Sequence, residues 1–442
     1  MFDNSIIVAP ATATGGAIAV IRMSGEGSIS CCDKIFHGRK PLAEAATHTL
    51  HYGEVRDGER VVDDVVVAVF RAPHSYTGEE SVEISIHGSR YIASEVIRLL
   101  CTHGARMAEA GEFSARALAA GRLDLSQAEA VADIIASDSQ ASHAIASTQM
   151  RGGYSAMLDR LRDELVEITA LLELELDFSE EEVEFADRAK LRSMLSQTDE
   201  VIVRLIGSFY TGNAIREGVA VAIVGRPNVG KSTLLNRLVG DDRAMVSDIA
   251  GTTRDTIEEA VVIDGIRFRF VDTAGLHSTD DYLEKMGIER TVKAIERAQV
   301  IINMTEPSHM AFEPLSLSPR QREIRVVNKA EDLDTATLDD VLYISAREGL
   351  GIDRLLSALR NTIDTESVYR GDAIVSNLRH YEALNRAHSD IESAIRALNS
   401  GLSEELLSED IRSAITALAE ITGRITNDEI LQTIFSRFCI GK

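Results

Sequence analysis

Along the first 122 residues, short apolar runs alternate with glycine-rich turns: Ser5-Ile6-Ile7-Val8-Ala9, Gly16-Ala17-Ile18-Ala19-Val20-Ile21, Val65-Val66-Val67-Ala68-Val69-Phe70 and Val82-Glu83-Ile84-Ser85-Ile86. Runs of this length bounded by turn residues predict strands, and the segment reads as a strand-rich α+β domain. Near Leu123 the period changes. Leu161, Leu165, Ile168, Leu172 and Leu176 step by three or four, the spacing of one helix face. The acidic run Glu180-Glu181-Glu182-Val183-Glu184 interrupts this pattern and is expected to be a solvated helix start or loop rather than a metal site. From Val219 to about Ile363 strands and helices alternate, which predicts a doubly wound α/β domain. Its strands are expected at Val219 to Val224, Val261 to Ile263, Phe268 to Asp272, Val300 to Met304, Ile324 to Val327 and Leu342 to Ile344. Asp264-Gly265 makes a two-residue turn, so the strands beside it should be antiparallel. Helical periodicity returns after Asp372. The last helix is announced by the capping-box pair Thr426 and Glu429, with Ile430, Leu431, Ile434, Phe435 and Phe438 on one stripe.

The simplest organisation pairs the two helical stretches in one discontinuous domain, with the α/β unit inserted between them. The expected boundaries are 1–122 for the N-terminal domain, 123–215 and 369–442 for the helical domain, and 216–368 for the insert. A chain of 442 residues is too long for one ordinary core, in keeping with two to three domains. Hydrophobic residues at 45% and charged residues at 26% are globular composition, and no window approaches the ~18–20 uninterrupted apolar residues of a membrane span. The start Met1-Phe2-Asp3-Asn4-Ser5 lacks a signal peptide's basic and apolar regions, so a cytoplasmic protein away from membranes is expected. Cys31, Cys32, Cys101 and Cys439 form no CxxC, which supports neither a disulfide framework nor a zinc site. A net charge of -24 argues against broad electrostatic binding to nucleic acid, so any RNA contact must use a local basic patch or a partner's surface.

Gly225-Arg226-Pro227-Asn228-Val229-Gly230-Lys231-Ser232 fits GxxxxGKS between an apolar strand and the helix of Leu234, Leu235 and Leu238. Glycines let backbone N–H groups curl around an oxyanion, and the helix N-terminus adds its dipole. Lys231 reaches the β- and γ-phosphates, and Ser232 places a hydroxyl on Mg²⁺. Three further motifs belong to the same chemistry. In Asp272-Thr273-Ala274-Gly275 the aspartate holds the metal's water shell and the Gly275 N–H senses the γ-phosphate. In Gly251-Thr252-Thr253-Arg254-Asp255 a threonine hydroxyl, assigned to Thr253, completes Mg²⁺ coordination. Asn328-Lys329-Ala330-Glu331 and Ser345-Ala346-Arg347 match the base-reading loops of GTPases.

Two departures shape the reading. The aspartate expected to accept two hydrogen bonds from guanine is replaced by Glu331, with Asp332 next, so either carboxylate is a candidate and guanine specificity is the part to test. Leu276 stands where a Ras-like enzyme has the water-orienting glutamine, so another group must polarise water. Glu284 is a candidate base, with Asp280 and Asp281 as rivals and an ordinary exposed helix charge as the plain alternative. No arginine is evidently supplied in cis, but Asn228 could hold a K⁺ beside the phosphates in an arginine finger's place.

With these residues in place the chain resembles the MnmE (TrmE) family of tRNA-modification GTPases over essentially its full length. The resemblance rests on Gly15 to Gly25, Ser75-Tyr76-Thr77-Gly78-Glu79-Glu80, His87-Gly88, Gly111-Glu112-Phe113-Ser114-Ala115-Arg116-Ala117, Gly121 to Ala130 and the ending Phe438-Cys439-Ile440-Gly441-Lys442, like the family's CxGK. It implies an N-terminal domain that binds tetrahydrofolate and dimerises, a discontinuous all-α domain and an inserted Ras-like P-loop GTPase domain. It implies K⁺-dependent GTP hydrolysis, a homodimer, and a heterotetramer or larger complex with the FAD-containing MnmG/GidA protein. Together they would add a carboxymethylaminomethyl or aminomethyl group to C5 of the tRNA wobble uridine, using a one-carbon unit from a 5-formyl or methylene tetrahydrofolate.

Carried over by position, Arg22, Glu83, Arg122 and Lys442 would contact folate. The K⁺ shell would be Asn228, Ser247, Ile249 and Thr252, and Mg²⁺ would take Ser232 and Thr253. The nucleotide contacts would also include Val229, Gly230, Lys231, Thr233, Asp248, Ala250, Gly251, Asp272, Thr273, Ala274, Gly275, Asn328, Lys329, Glu331, Asp332, Ser345, Ala346 and Arg347. Glu284 would orient the attacking water, Lys231 would serve catalysis, and Cys439 would lie near the folate as a candidate catalytic group or as a buried tail cysteine. The competing reading is a regulatory GTPase of ribosome or RNA assembly without modification chemistry, and a weaker one is a nucleotide switch that scaffolds partners. The former predicts a basic RNA-binding appendage, which this acidic chain lacks.

Overall fold

The computed structural model describes residues 5–177, 188–240, 259–271, 292–331, 341–400, 404–425, 428–436, 438 and 441. Its contacts divide the chain into two compact units, one of Met1–Ala132 with Leu418–Lys442 and one of Asp133–Ala417.

The first unit is built on a seven-stranded sheet. Its strands are β1 (Ile6–Pro10), β2 (Ile18–Ser24), β3 (Phe36–Gly38), β4 (Thr49–Asp57), β5 (Arg60–Phe70), β6 (Ser81–His87) and β7 (Ala105–Met107), in the order β3-β4-β5-β6-β2-β1-β7. The alternation of buried Val65, Val67 and Val69 with more exposed neighbours turns one face of β5 to the core, where α1 (Ser28–Asp33) and α2 (Arg90–Thr102) pack. Strand β4 carries no apolar run. It is held by pairing with β5 along its whole length, and on its other side Gly38 and Gly53 leave room for the Phe36 ring, which would lie within 2.7 Å of a Cβ at either glycine. The helices α3 (Glu112–Ala119), α4 (Leu125–Ala136) and Asp428–Phe435 meet in a small core of Ala115, Ala128, Phe435 and Phe438. Thr426 of the expected capping box lies outside the described residues, while Phe435 and Phe438 of the expected stripe are buried.

The second unit contains α5 (Gln140–Met150), α6 (Gly153–Asp177) and α7 (Arg188–Glu217), then a six-stranded sheet, then helix Leu378–Ser400. On α6, Leu161, Leu165, Ile168 and Leu172 are buried, as the helical period requires. The acidic run from Glu180 to Glu184 lies outside the described residues. Helix Leu378–Ser400 packs along α7, where the Phe209 and Tyr381 rings stack at 4.3 Å and His388 Nδ1 bonds Asp199 at 2.6 Å. Helix α7 runs through Gly218 directly into β8 (Val219–Gly225).

The sheet continues with β9 (Glu259–Ile263), β10 (Ile266–Phe270), β11 (Val300–Thr305), β12 (Arg322–Val327) and β13 (Val341–Tyr343), in the order β13-β12-β11-β8-β10-β9. All pairs are parallel except β9 with β10, which the Asp264-Gly265 turn joins antiparallel, the arrangement expected from that dipeptide. The order reverses at β8. Ligands of open α/β sheets bind beyond the carboxyl ends of strands at such a switch point, and the loop after β8 is the phosphate-binding motif.

Candidate nucleotide and one-carbon sites

The loop Gly225 to Gly230 is shaped by its glycines. Gly225, at φ 146°, carries no Cβ where one would stand 2.3 Å from the Met304 carbonyl, and a Cβ on Gly230 would stand 2.3 Å from Asn328 Nδ2. Helix α8 (Lys231–Val239) starts at Gly230 and is anchored by buried Leu234, Leu235 and Leu238, so its N-terminal N–H groups face the loop. Lys231 Nζ donates to the carbonyls of Gly225 at 2.7 Å and Arg226 at 2.9 Å. Burial holds its pKa below the ordinary lysine value, against a smaller opposing pull from Glu313. The loop therefore holds a desolvated cation inside an arc of backbone, an arrangement that fits a polyphosphate. Nucleotide affinity should fall as pH rises through the lowered Lys231 value. A crevice of about 360 Å³ borders the loop, between Arg226, Pro227 and Val229 on one side and Thr305, Glu306 and His309 on the other.

Asn328, 3% exposed, locks two loops to each other. Its Nδ2 donates to the Val229 carbonyl at 2.8 Å, and its Oδ1 accepts from the Ala346 N–H at 2.9 Å. Lys329, in the left-handed region at φ 62°, donates from Nζ to the Asn228 carbonyl at 2.8 Å and to Glu306 at 2.6 Å. The Lys329 ammonium pulls the Glu306 carboxyl below the usual carboxylate range. The buried Ser345 hydroxyl donates to Glu331 at 2.7 Å, and that bond is the main cause holding Glu331's carboxyl below its ordinary value. Asn328 and Lys329 thus bond the phosphate loop directly, Ala346 joins it through Asn328, and the Ser345 bond gives Glu331 an oriented carboxylate beside the Ser345 loop. Ser232 lies half-buried in the first turn of α8, Thr233 and Asn228 are exposed, and Arg347 is 87% exposed. Removing both Asn328 bonds by Asn328→Ala leaves a buried N–H and a buried carbonyl without their partner and should cost about 1–3 kcal/mol. The expected result is weaker GTP binding with an unchanged far-UV spectrum, read by calorimetric titration and circular dichroism.

In the first unit β2 pairs with β6 so that Arg22 stands opposite Glu83. Arg22 Nε donates to Glu83 Oε1 at 2.9 Å, and its guanidinium lies 5.5 Å from the Tyr76 ring centroid and 5.9 Å from that of Phe113. Tyr76 and Ser114 share a hydroxyl hydrogen bond of 2.9 Å, and burial raises the Tyr76 pKa. Below them fully buried Glu112 pairs with Arg106 at 2.7 Å and Arg116 at 2.9 Å, which fixes the start of α3 and so the place of Phe113. Gly441 packs against the end of β1, where a Cβ would stand 2.1 Å from the Pro10 carbonyl, next to Ala9, which pairs with Arg22. Arg122 is exposed, with its Cγ beside Gly78. Sequence reasoning gave no role to Tyr76, Phe113 or the Glu112 network, although all lie in the two segments Ser75 to Glu80 and Gly111 to Ala117 that carry the resemblance.

Ser247, Asp248, Ile249, Ala250, Gly251, Thr252, Thr253, Asp272, Thr273, Ala274, Gly275, Glu284, Asp332, Cys439 and Lys442 lie outside the described residues. Among the described residues no group of three or more metal-ligating side chains occurs, Cys31, Cys32 and Cys101 are free, and no helix is long and apolar enough to cross a membrane.

The sequence matches the family model described as GTP-binding protein TrmE N-terminus over residues 6–122, and that of the MnmE helical domain over residues 125–439. The tRNA modification GTPase MnmE of Flavobacterium psychrophilum is 45% identical over 462 residues, with 100% of each chain covered. That of Bacteroides thetaiotaomicron is 47% identical over 464 residues, again with full coverage of both. The solved Era structure from Aquifex aeolicus is 27% identical over 38% of this chain and 65% of its own, at a TM-score of 0.24.

Proposed function

Because the chain belongs to the MnmE family of tRNA modification GTPases, GTP-hydrolysing enzymes of tRNA modification, we propose that it couples K⁺-dependent GTP hydrolysis to modification of the tRNA wobble uridine. In this reading an FAD-containing MnmG/GidA protein is its partner, a tetrahydrofolate supplies the one-carbon unit, and C5 of the uridine receives an aminomethyl or carboxymethylaminomethyl group.

The observation that carries the reading is the pairing of Arg22 and Glu83 beneath Tyr76 and Phe113. A nucleotide site alone fits any GTPase, whereas this second site suits a reduced folate. A pterin is flat and presents adjacent N–H donors, which a carboxylate accepts, and the half-buried Tyr76 ring lies beside the pair, backed by Phe113, which is fully buried. Arg22 would hold Glu83 in place for the pterin, and the exposed Arg122 would balance the folate's own carboxylates. An apolar surface supports self-association. Leu50 and Tyr52, 73% and 70% exposed, alternate on one face of β4 opposite Ala68 and Val66 of β5, and large exposed apolar side chains grouped in this way mark contact surfaces.

In the nucleotide site Lys231 would leave its two carbonyls for the β- and γ-phosphate oxygens. Ser232 and Thr253 would hold Mg²⁺, which neutralises charge on the phosphates, and Glu284 would orient the attacking water. Asn228, with Ser247, Ile249 and Thr252, would hold K⁺ in an arginine finger's place. Exchange of K⁺ for Na⁺ should lower the GTP turnover of the purified protein by about tenfold or more. Equal rates in the two salts would remove Asn228 from this role.

A further inference from the structure

The hairpin β9–β10 occupies a particular place in the chain. It follows the Ser247-to-Thr253 segment and precedes Asp272-Thr273-Ala274-Gly275, so both segments expected to sense the γ-phosphate are continuous with it. Its five paired positions make it one stiff body, with β10 also bonded to β8. The hairpin thus links both open ends to the Asp264-Gly265 turn.

That turn is held by the chain just before and within α5. Asp138 pairs with Arg267 across 2.6 Å, and the two side chains are only 10% and 28% exposed. The Ala141 N–H, one of the donors that a helix start leaves without an internal acceptor, is taken by the Gly265 carbonyl at 3.0 Å. A Cβ on Gly265, which sits at φ 79°, would stand 3.1 Å from Gln140 Cβ and 3.2 Å from the Tyr369 hydroxyl, so the turn is enclosed as well as bonded. The Arg267 stem also lies under Gly218, the link from α7 to β8, where a Cβ would stand 3.2 Å from Arg267 Cδ. Ala141 and Ile145 of α5 belong to the same buried core as Ile263, Ile266 and Phe268 of the hairpin.

At its other end α5 reaches the second helical stretch. Buried Gln149 donates from Nε2 to the Ile374 carbonyl at 3.0 Å, and Ile374 leads into helix Leu378–Ser400. The ion pair itself is poorly aligned. Among the described residues, Asp138 Oδ2 and Arg267 Nε are buried and have no hydrogen-bond partner in line. Buried polar atoms left short of partners cost free energy, and a joint in that condition can settle differently when the hairpin shifts.

We propose that Asp138 and Arg267 are positioning residues that transmit the nucleotide state of the GTPase sheet to the helices through α5, and so couple GTP turnover to tRNA modification. The inference rests on the coupled function proposed above. Neither residue belongs to the motifs expected to hold nucleotide, so breaking the pair should uncouple the two activities rather than stop hydrolysis.

The experiment uses the full-length protein with Asp138→Asn, Arg267→Gln and the exchanged pair D138R/R267D. GTP turnover is measured on purified protein, and wobble-uridine modification by mass spectrometry of tRNA from a deletion strain carrying each variant. Each single variant is expected to keep GTP turnover within about twofold of the parent while modification falls at least fivefold, and the exchanged pair is expected to recover most of the modification. Parental modification in both single variants would overturn the proposal, as would a parallel fall of turnover, modification and melting temperature, which marks a merely structural contact. Failure of the underlying reading looks different: the hydrolysis-deficient Lys231→Ala would then modify tRNA as well as the parent.

Discussion

Lys231→Ala is expected to lower GTP turnover by about 10²–10³-fold, the loss seen when one preorganised donor to developing charge is removed from an enclosed site. The reason lies in the resting geometry. The Lys231 ammonium is half-buried, bonded among the described residues to the carbonyls of its own loop, and depressed in pKa by burial. A group in that condition gains most when phosphate oxygens replace carbonyl dipoles, and the gain grows as charge collects on the bridging and γ oxygens. The fold should tolerate the change, since Leu234, Leu235 and Leu238 anchor α8 independently of the lysine. Single-turnover hydrolysis, with binding measured separately, gives the result. Parental turnover in the variant would remove Lys231 from the catalytic site.

The second large effect is expected at the other unit. Glu83→Gln keeps the volume of the side chain and the β2–β6 register but removes the charge that pairs with Arg22. Hydrogen bonds to charged groups contribute about 1.5–3 kcal/mol, so affinity for a reduced folate should fall roughly 10- to 150-fold, with Arg22→Ala at least as severe. GTP affinity should stay at the parental value in both. Titration calorimetry with tetrahydrofolate tests this, and an unchanged folate affinity in both variants would remove the Arg22–Glu83 pair from the site.

The nucleotide site was far more legible in the sequence than the proposed folate site. A phosphate loop is local: the glycines, Lys231 and Ser232 lie within eight consecutive residues, flanked by an apolar strand and an apolar helix face. The hairpin was legible for the same reason, because Asp264-Gly265 dictates both the turn and the antiparallel pairing on either side. Arg22 and Glu83 are 61 residues apart, and only the β2–β6 register places one opposite the other. Read alone they are ordinary strand charges, and it was the resemblance that singled them out. The roles of Tyr76 and Phe113 needed the fold, since their contact with Arg22 depends on the buried Glu112–Arg116 pair at the start of α3. Strand β4 escaped the pattern because its large apolar side chains, Leu50 and Tyr52, face outward and its inner face is opened by a glycine under a phenylalanine ring. The expected strand from Phe268 to Asp272 ends at Phe270 and begins earlier, at Ile266, because its first residues pair across the turn with β9.

In the proposed function GTP turnover in one unit serves tRNA modification that depends on the other. The most direct measurement is mass spectrometry of wobble-uridine nucleosides in tRNA from a strain lacking this protein, complemented in turn with the parent, Lys231→Ala and Glu83→Gln. The parent is expected to restore the modified nucleoside and neither variant to do so, even though Lys231→Ala still binds folate and Glu83→Gln still hydrolyses GTP. Full modification with either variant, or none with the parent, would contradict it.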